Sequence, residues 1–259
     1  MRRFISQSWL SFKQRYAVIS FEEFILFESL YPIITLSFYC ILAAYSFNTN
    51  NLTRWIVGNS FLLCTNMCIF TLGLAFDSEK YYGRIRSIII SPVNKLIIVL
   101  EKGFFPAIFS VITVFFGFMI GSFMFGVDFT SINLVLFLLV TMVGMFAMTG
   151  FSLFLSSFGL ITDSMHFILN LVSYVLMIFC GANFPISQLP KALQMISKLI
   201  PLTRSISAAN MLFADYDKSK FIYLLLTEIF LGSIFYLISY FMIKQAEKIA
   251  KKKATLELF

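Results

Sequence analysis

The chain is predicted to be an all-α polytopic membrane protein. Six transmembrane helices are expected, with an N-terminal interfacial helix and a re-entrant extracellular helical hairpin before the last span. Three observations predict this. Of the 259 residues, 59% are hydrophobic and 13% are charged, with a mean hydropathy of +0.87; a soluble domain carries about 25% charged residues. The 33 Phe and 12 Met give more bulky apolar surface than one soluble core hides. Finally, the apolar residues fall into six separated runs of about twenty, the length a helix needs to cross hydrocarbon. In lipid every backbone polar group must be satisfied within the chain, so such runs become helices.

Residues 1–26 hold the interfacial element. At about 100° per residue, Phe4, Ile5, Trp9, Phe12, Tyr16 and Ile19 fall on one face of a helix over residues 4–19, with Arg3, Gln7, Ser11 and Gln14 elsewhere and Arg15 at the edge of the apolar face. A Trp and a Tyr on the apolar side, flanked by basic residues, suit a helix lying at the headgroups. Arg2 and Arg3 are followed by a mixed segment and not by an apolar core, so no cleavable signal is expected. The spans follow at approximately 27–47, 56–76, 104–126, 132–156, 165–184 and 221–243. The third contains Gly117-Phe-Met-Ile-Gly121, a spacing of small residues that lets helices approach closely. Between the last two spans, residues 181–204 are too polar and Pro-broken to cross a bilayer and too apolar for an ordinary loop. A segment that dips into the membrane and returns needs that compromise. One transmembrane domain over 1–259 is expected, with no soluble domain and no internal repeat.

Basic residues sit at the edges of the apolar runs, the pattern of membrane topology and not of nucleic-acid binding. Fourteen of the twenty Lys and Arg lie in the N-terminal segment, the loop after the second span and the C-terminal tail. The positive-inside rule then puts both termini in the cytoplasm. The six on the other side are Arg54, Lys191, Lys198, Arg204, Lys218 and Lys220.

Motifs for chemistry are missing. There is no Gly-x-x-x-x-Gly-Lys-Ser/Thr phosphate loop, no His-Glu-x-x-His, no Gly-x-Ser-x-Gly and no Gly-x-Gly-x-x-Gly. The single histidine, His166, is read as a polar cap on the fifth span. Cys40, Cys64, Cys68 and Cys180 all lie inside apolar runs and are read as small apolar fillers; a structural zinc site wants four ligands. Ion-coupled transport leaves ionisable residues deep in spans, and the one candidate is Glu228, either on the pathway or packed against the 185–215 segment. The energy source is therefore expected on another chain.

The loop Asp77-Ser-Glu-Lys-Tyr-Tyr-Gly-Arg-Ile-Arg-Ser-Ile-Ile-Ile-Ser-Pro-Val-Asn-Lys95 can make two helical turns over 84–90 before Ser91-Pro92 breaks them. With Ile85, Ile88 and Ile89 on one face and Arg84 and Arg86 on another, it suits docking into a partner's groove.

Here the chain resembles a family, the membrane subunits of ABC type-2 exporters, especially the bacterial drug- and antimicrobial-resistance permeases. The family's Glu-x-x-x-Gly-Thr-x-Glu-x-Leu-x-x-Ser-Pro loop is matched by Glu79, Gly83, Ile88, Ser91 and Pro92. Its apolar-Phe-Pro-x-x-x-Leu-Pro…Asn-Pro-Leu-Thr stretch is matched by Phe184-Pro185, Leu189-Pro190 and Pro201-Leu202-Thr203. The departures are Arg84 and Arg86, where the family has Thr and Glu, and Ile200, where it has Asn.

The resemblance implies a coupling helix in 77–95, with Glu79, Gly83, Arg84, Arg86, Ser91 and Pro92 facing a separate cytoplasmic ABC ATPase that holds ATP and Mg. It implies an outer gate in 185–215, built on Phe184, Pro185, Leu189, Pro190, Pro201, Leu202 and Thr203. A second permease copy or a paralogue would complete the pathway in the cytoplasmic membrane. The chain itself is expected to bind no cofactor or metal and to catalyse nothing. The expected cargo is a hydrophobic or amphipathic compound such as a drug or toxin peptide. A lipid-linked glycan is the alternative within the fold, and a non-transporting anchor or sensor the alternative outside it.

Overall fold

The computed structural model describes residues 2–16, 21–49, 51–84, 87, 91, 93–127, 132–160, 162, 164–214 and 216–253. Among these the regular structure is helical. Helix α1 runs Arg2–Tyr16, α2 Phe21–Phe47, α3 Thr53–Gly73, α4 Ala75–Tyr81, α5 Lys95–Phe125, α6 Leu134–Phe158 and α7 Met165–Phe179. A 3₁₀ turn at Ile186–Gln188 precedes α8 (Lys191–Ser197), α9 (Thr203–Met211) and α10 (Lys218–Lys253).

Among the described residues, five helices are long and apolar enough to cross a membrane: α2, α3, α5, α6 and α10. The sixth expected span is shorter. Helix α7 has 15 residues, about 22 Å at 1.5 Å per residue, against about 30 Å of hydrocarbon. It ends at Phe179, not at residue 184. Gly181 takes a left-handed φ of 82°, which stops the helix, and the following Ala182 is fully buried against α3.

Side-chain oxygens start the helices where the sequence supplies them. Asn94 accepts from the N–H of Leu96 (3.0 Å), Asn133 from that of Val135 (3.0 Å), and Asp217 from that of Ser219 (2.9 Å). Each satisfies a donor that the first helical turn leaves orphaned.

Helix α3 is the centre of the bundle. Its apolar stretch is 86% buried, against 22% for those of α2 and α10. It packs along α5 and α6 and touches α2, α7 and α9. Gly117 and Gly121 of α5 lie against Ser60 and Ile56 of α3, so the small-residue spacing seen in the sequence is a packing device. The other extensive pairing is α6 with α10. Helices α2 and α7 both lean on α3 but make little contact with each other, which leaves a groove floored by α3.

Helix α1 docks on α5 through rings. Phe12 stacks on Phe109 (5.0 Å between centroids) and Trp9 meets Phe105 edge-on (5.2 Å). Ile5, Trp9 and Leu10 remain about half-exposed. The aromatic side of the amphipathic helix therefore rests partly on protein.

Because successive long helices alternate in direction, the end of α2 and start of α3, the end of α5 and start of α6, and the end of α7 and start of α10 share one end of the bundle. A cleft lined by Thr49, Arg54, Val127, Asn210 and Phe213 brings these segments together. The loop after α4 lies at the other end.

Candidate functional site

At the α4 end the motif residues form a capped turn held by a buried carboxylate. Gly83, with φ 67°, closes α4. Its N–H donates to the carbonyl of Lys80 (3.0 Å), and the N–H of Arg84 donates to that of Glu79 (2.8 Å). These are the paired bonds of a Schellman cap, which needs a left-handed residue at that position. Nothing lies within 4 Å of a Cβ added at Gly83, so glycine is required there by conformation and not by space.

The carboxylate of Glu79 is nearly buried and bridges two cations. One is Lys102 on α5; the other is Arg84, whose Nε lies 2.8 Å from Oε2. The Arg84 guanidinium also covers the Tyr82 ring at 4.8 Å. The Arg that departs from the family's Thr thus completes an ion triad tying the loop to α5. Ser91 accepts from the N–H of Val93 (3.3 Å) and donates its own N–H to Ser87 (3.1 Å). Arg86, Pro92, Ile85, Ile88 and Ile89 lie outside the described residues.

At the opposite end, residues 181–211 are wedged among α3, α6, α7 and α10. The carbonyl of Pro190 accepts from Leu193 and Gln194 and starts α8 (2.9 and 3.1 Å). Pro185 does the same for the 3₁₀ turn through Gln188 (2.9 Å). Gln194 donates to the carbonyl of Leu189 at 2.7 Å and folds the segment back on itself. Leu202, buried and at φ 71°, is the residue before α9. Its N–H donates to Oε1 of Glu228, which is fully buried on α10. Arg204 approaches the other oxygen of Glu228 (3.5 Å) and also donates to the carbonyl of Lys198. Pro201-Leu202-Thr203 is thus a strained turn pinned by a carboxylate from the last long helix. Glu228 is thus packed against this segment.

The turn at 180–184 is held separately. The indole N–H of Trp55 donates to the carbonyl of Asn183 (3.0 Å), and the Asn183 amide donates to the carbonyl of Met177 (3.3 Å). A Cβ placed on Gly58 would lie 2.5 Å from the Cα of Ala182. Only glycine lets α3 and this turn meet.

The ABC-2 type transporter family model matches residues 4–213. The chain belongs to the ABC-2 type transporter family. No curated protein matches it significantly. The match spans α1, the Glu79 triad, the 181–204 segment and α9. The chain is therefore the multi-pass permease subunit of a transporter of this family, whose members associate with an ABC ATPase subunit.

The permease carries two cavities that share walls. The first, about 320 Å³, lies in the groove between α2, α3 and α7 and is lined by Tyr31, Thr35, Tyr39, Asn59, Leu62, Leu63, Phe70, Asn170, Ser173, Tyr174 and Met177. Asn59 is 2% exposed, its amide donates to the carbonyl of Trp55 (2.9 Å), and its oxygen has no partner among the described residues. The second, about 140 Å³, continues toward the 181–204 end and is lined by Leu42, Ala43, Phe47, Trp55 and Phe184, with Tyr39 and Met177 common to both. One side chain of the expected gate, Phe184, therefore borders a cavity.

In the sequence Lys102 and Arg204 carry no sign of their partners, which lie 23 and 24 residues away. The groove had a signal. Tyr31, Thr35 and Tyr39 recur every fourth residue in α2, and Asn170, Ser173, Tyr174 and Met177 share a face of α7.

Proposed function

We propose that this permease exports a hydrophobic or amphipathic compound, such as a drug, antimicrobial or toxin peptide, out of the cytoplasm at the expense of ATP hydrolysed on a separate ATPase. The observation that carries this reading is the two-part groove. Its first cavity offers hydroxyl and carboxamide groups without a formal charge, and its second is apolar and ends at Phe184. A molecule with one polar and one greasy end fits that sequence of surfaces. Hydroxyls and carboxamides also suit a sugar, which favours the lipid-linked glycan as a second reading.

In this scheme both termini and residues 77–95 face the cytoplasm, as the distribution of Lys and Arg supports. The Glu79 triad and the Gly83 cap present a stiff loop to the ATPase, which holds ATP and Mg. Residues 185–215 close the pathway on the outside. A second copy, or a paralogue, covers the groove. Met195, Ile196 and Leu199 on and after α8 are exposed and apolar, and suit lipid or that second copy.

Purification of the intact permease from its own membranes tests the pairing. An ATP-hydrolysing chain is expected to accompany it. Gly83→Pro removes the N–H bonded to Lys80 and forbids the positive φ, and is expected to reduce the retained ATPase at least ten-fold. A well-folded Gly83→Pro variant that keeps its full complement of ATPase would sink the coupling assignment. A permease that always purifies alone would point to the anchor or sensor reading.

A further inference from the structure

One charged cleft shares Asn210, Phe213 and Ala214 with the proposed gate segment, but its Arg54 wall has no part in the scheme above. At the 181–204 end, an open cleft of about 620 Å³ lies between the α2–α3 turn, the end of α5 and the end of α9. Thr49, Asn51, Thr53 and Arg54 line one wall. Its charged lining among the described residues is Arg54 alone.

Arg54 is partly buried and makes no ion pair among the described residues. Three carboxylates elsewhere are committed. Glu228 holds Leu202 and Arg204, Asp217 caps α10, and Glu79 holds Lys102 and Arg84. Asp128 and Asp215, next in sequence to the cleft-lining Val127 and Ala214, lie outside the described residues.

Two side-chain oxygens of the turn accept bonds from within it. Oγ1 of Thr49 accepts from the N–H of Asn51 (3.2 Å), and Oδ1 of Asn51 accepts from the N–H of Thr53 (3.2 Å). That leaves donors: the Thr49 and Thr53 hydroxyl hydrogens, the Asn51 amide and the guanidinium. They stand at the start of α3, whose leading residue Leu52 supplies no side-chain cap. A guanidinium with no ion pair among the described residues, beside hydroxyls and the N–H groups that remain after Asn51 takes that of Thr53, is a donor array for an oxyanion. Its height is also telling. Arg54 lies in the first turn of a membrane-crossing helix, where the hydrocarbon gives way to headgroups.

We infer that this cleft binds a phosphate-type anion through Arg54. The anion is either a phospholipid headgroup of the adjacent leaflet or a free phosphate. The guanidinium fork takes two phosphate oxygens at once, with the hydroxyls and the helix start on the rest. The inference does not depend on what the permease transports.

The test uses the purified full-length permease with two probes, phosphatidylglycerol and inorganic phosphate. Lipid retention is read by native mass spectrometry and protection by thermal unfolding. Wild type is expected to retain phosphatidylglycerol at least ten-fold more strongly than Arg54→Gln, with Lys191→Gln behaving as wild type. Protection by phosphatidylglycerol alone assigns the cleft to a headgroup. Protection of wild type, but not of Arg54→Gln, by inorganic phosphate assigns it to the free anion. Equal retention and equal protection in wild type and Arg54→Gln, with both probes, overturns the inference. A second measurement avoids any variant that fails to fold. Phenylglyoxal modification of Arg54 in the wild-type protein, mapped by peptide mass, is expected to slow when the bound probe is present; an unchanged rate with both probes also overturns it.

Discussion

Glu228→Ala is expected to destabilise the permease by about 3–5 kcal/mol, the usual cost of removing one partner from a buried ion pair. The carboxylate is fully buried in α10 and serves two groups from the 181–204 segment, the N–H of Leu202 and the guanidinium of Arg204. Without it, the Leu202 N–H is orphaned in the interior and Arg204 keeps only the carbonyl of Lys198. The strained φ of Leu202 also loses the bond that holds it. Glu228→Gln retains an acceptor for Leu202 and loses only the charge, so its cost is expected to fall to about 1–3 kcal/mol. Replacing both Glu228 and Arg204 by methionine is expected to cost less than Glu228→Ala, because no charge is left unpaired; the Leu202 N–H loses its buried partner, and the Lys198 carbonyl loses Arg204 at an exposed position. Thermal unfolding of the detergent-solubilised variants gives the order. If Glu228→Ala and Glu228→Gln unfold with wild type, the carboxylate does not hold the segment. A loss of transport in Glu228→Gln with unchanged stability would restore a pathway role for this residue.

The second large effect is steric. Gly58→Val is expected to cost about 3 kcal/mol, the upper part of the range for overpacking. The reason is the nature of the obstacle. A Cβ at position 58 meets the Cα of Ala182 at 2.5 Å and its carbonyl oxygen at 2.7 Å, and backbone cannot rotate aside. At Gly103 the nearest atoms belong to the end of the Leu72 side chain, so Gly103→Ala is expected to be milder. The two sites also differ in reach. Displacing Ala182 moves Asn183, whose carbonyl holds the Trp55 indole at 3.0 Å. In a Trp9→Phe background, where Trp55 is the remaining tryptophan, Gly58→Val is expected to change the emission maximum while Gly103→Ala leaves it in place. Unchanged emission in a folded Gly58→Val protein would mean that the turn does not rest on α3.

The membrane spans were legible because lipid imposes one rule on every residue of a long helix, and the run before Phe47 and that after Phe221, despite Glu228, carry that pattern. The short α7 was not. Its apolar run continues through Cys180 and Ala182, and hydropathy registers their character but not the positive φ of Gly181 between them. Glu79 and Gly83 were legible as a motif, and the Schellman cap gives the physical reason for their spacing: the glycine must fall at the residue that turns left-handed, four positions after Glu79. That Lys102 closes the triad was not legible, since its reach to Glu79 depends on how α4 lies against α5. Glu228 stood out as a carboxylate inside a span, and packing against 185–215 was one of the roles open to it. Naming Leu202 and Arg204 as its partners required the fold. The groove was overlooked for a different reason. Its Tyr, Thr, Ser and Asn residues are uncharged, so they lower the hydropathy of α2 and α7 only slightly, and the periodicity that places them on one face was overshadowed by the spans themselves.

The proposed separation between an ATP-reading loop and a gate on the opposite face is tested most directly by labelling Phe184 while ATP is supplied. A single cysteine is placed at Phe184, which is 44% exposed and borders the apolar cavity, in a chain whose native cysteines are replaced by serine or alanine. In sealed cells or right-side-out vesicles containing the ATPase, a membrane-impermeant maleimide is expected to react with Phe184→Cys from outside. The rate is expected to change several-fold when ATP is present within, and that change should vanish when Gly83→Pro is added. Labelling from the inside alone would contradict the orientation. A rate indifferent to ATP, or an ATP response that survives Gly83→Pro, would contradict coupling between the two ends.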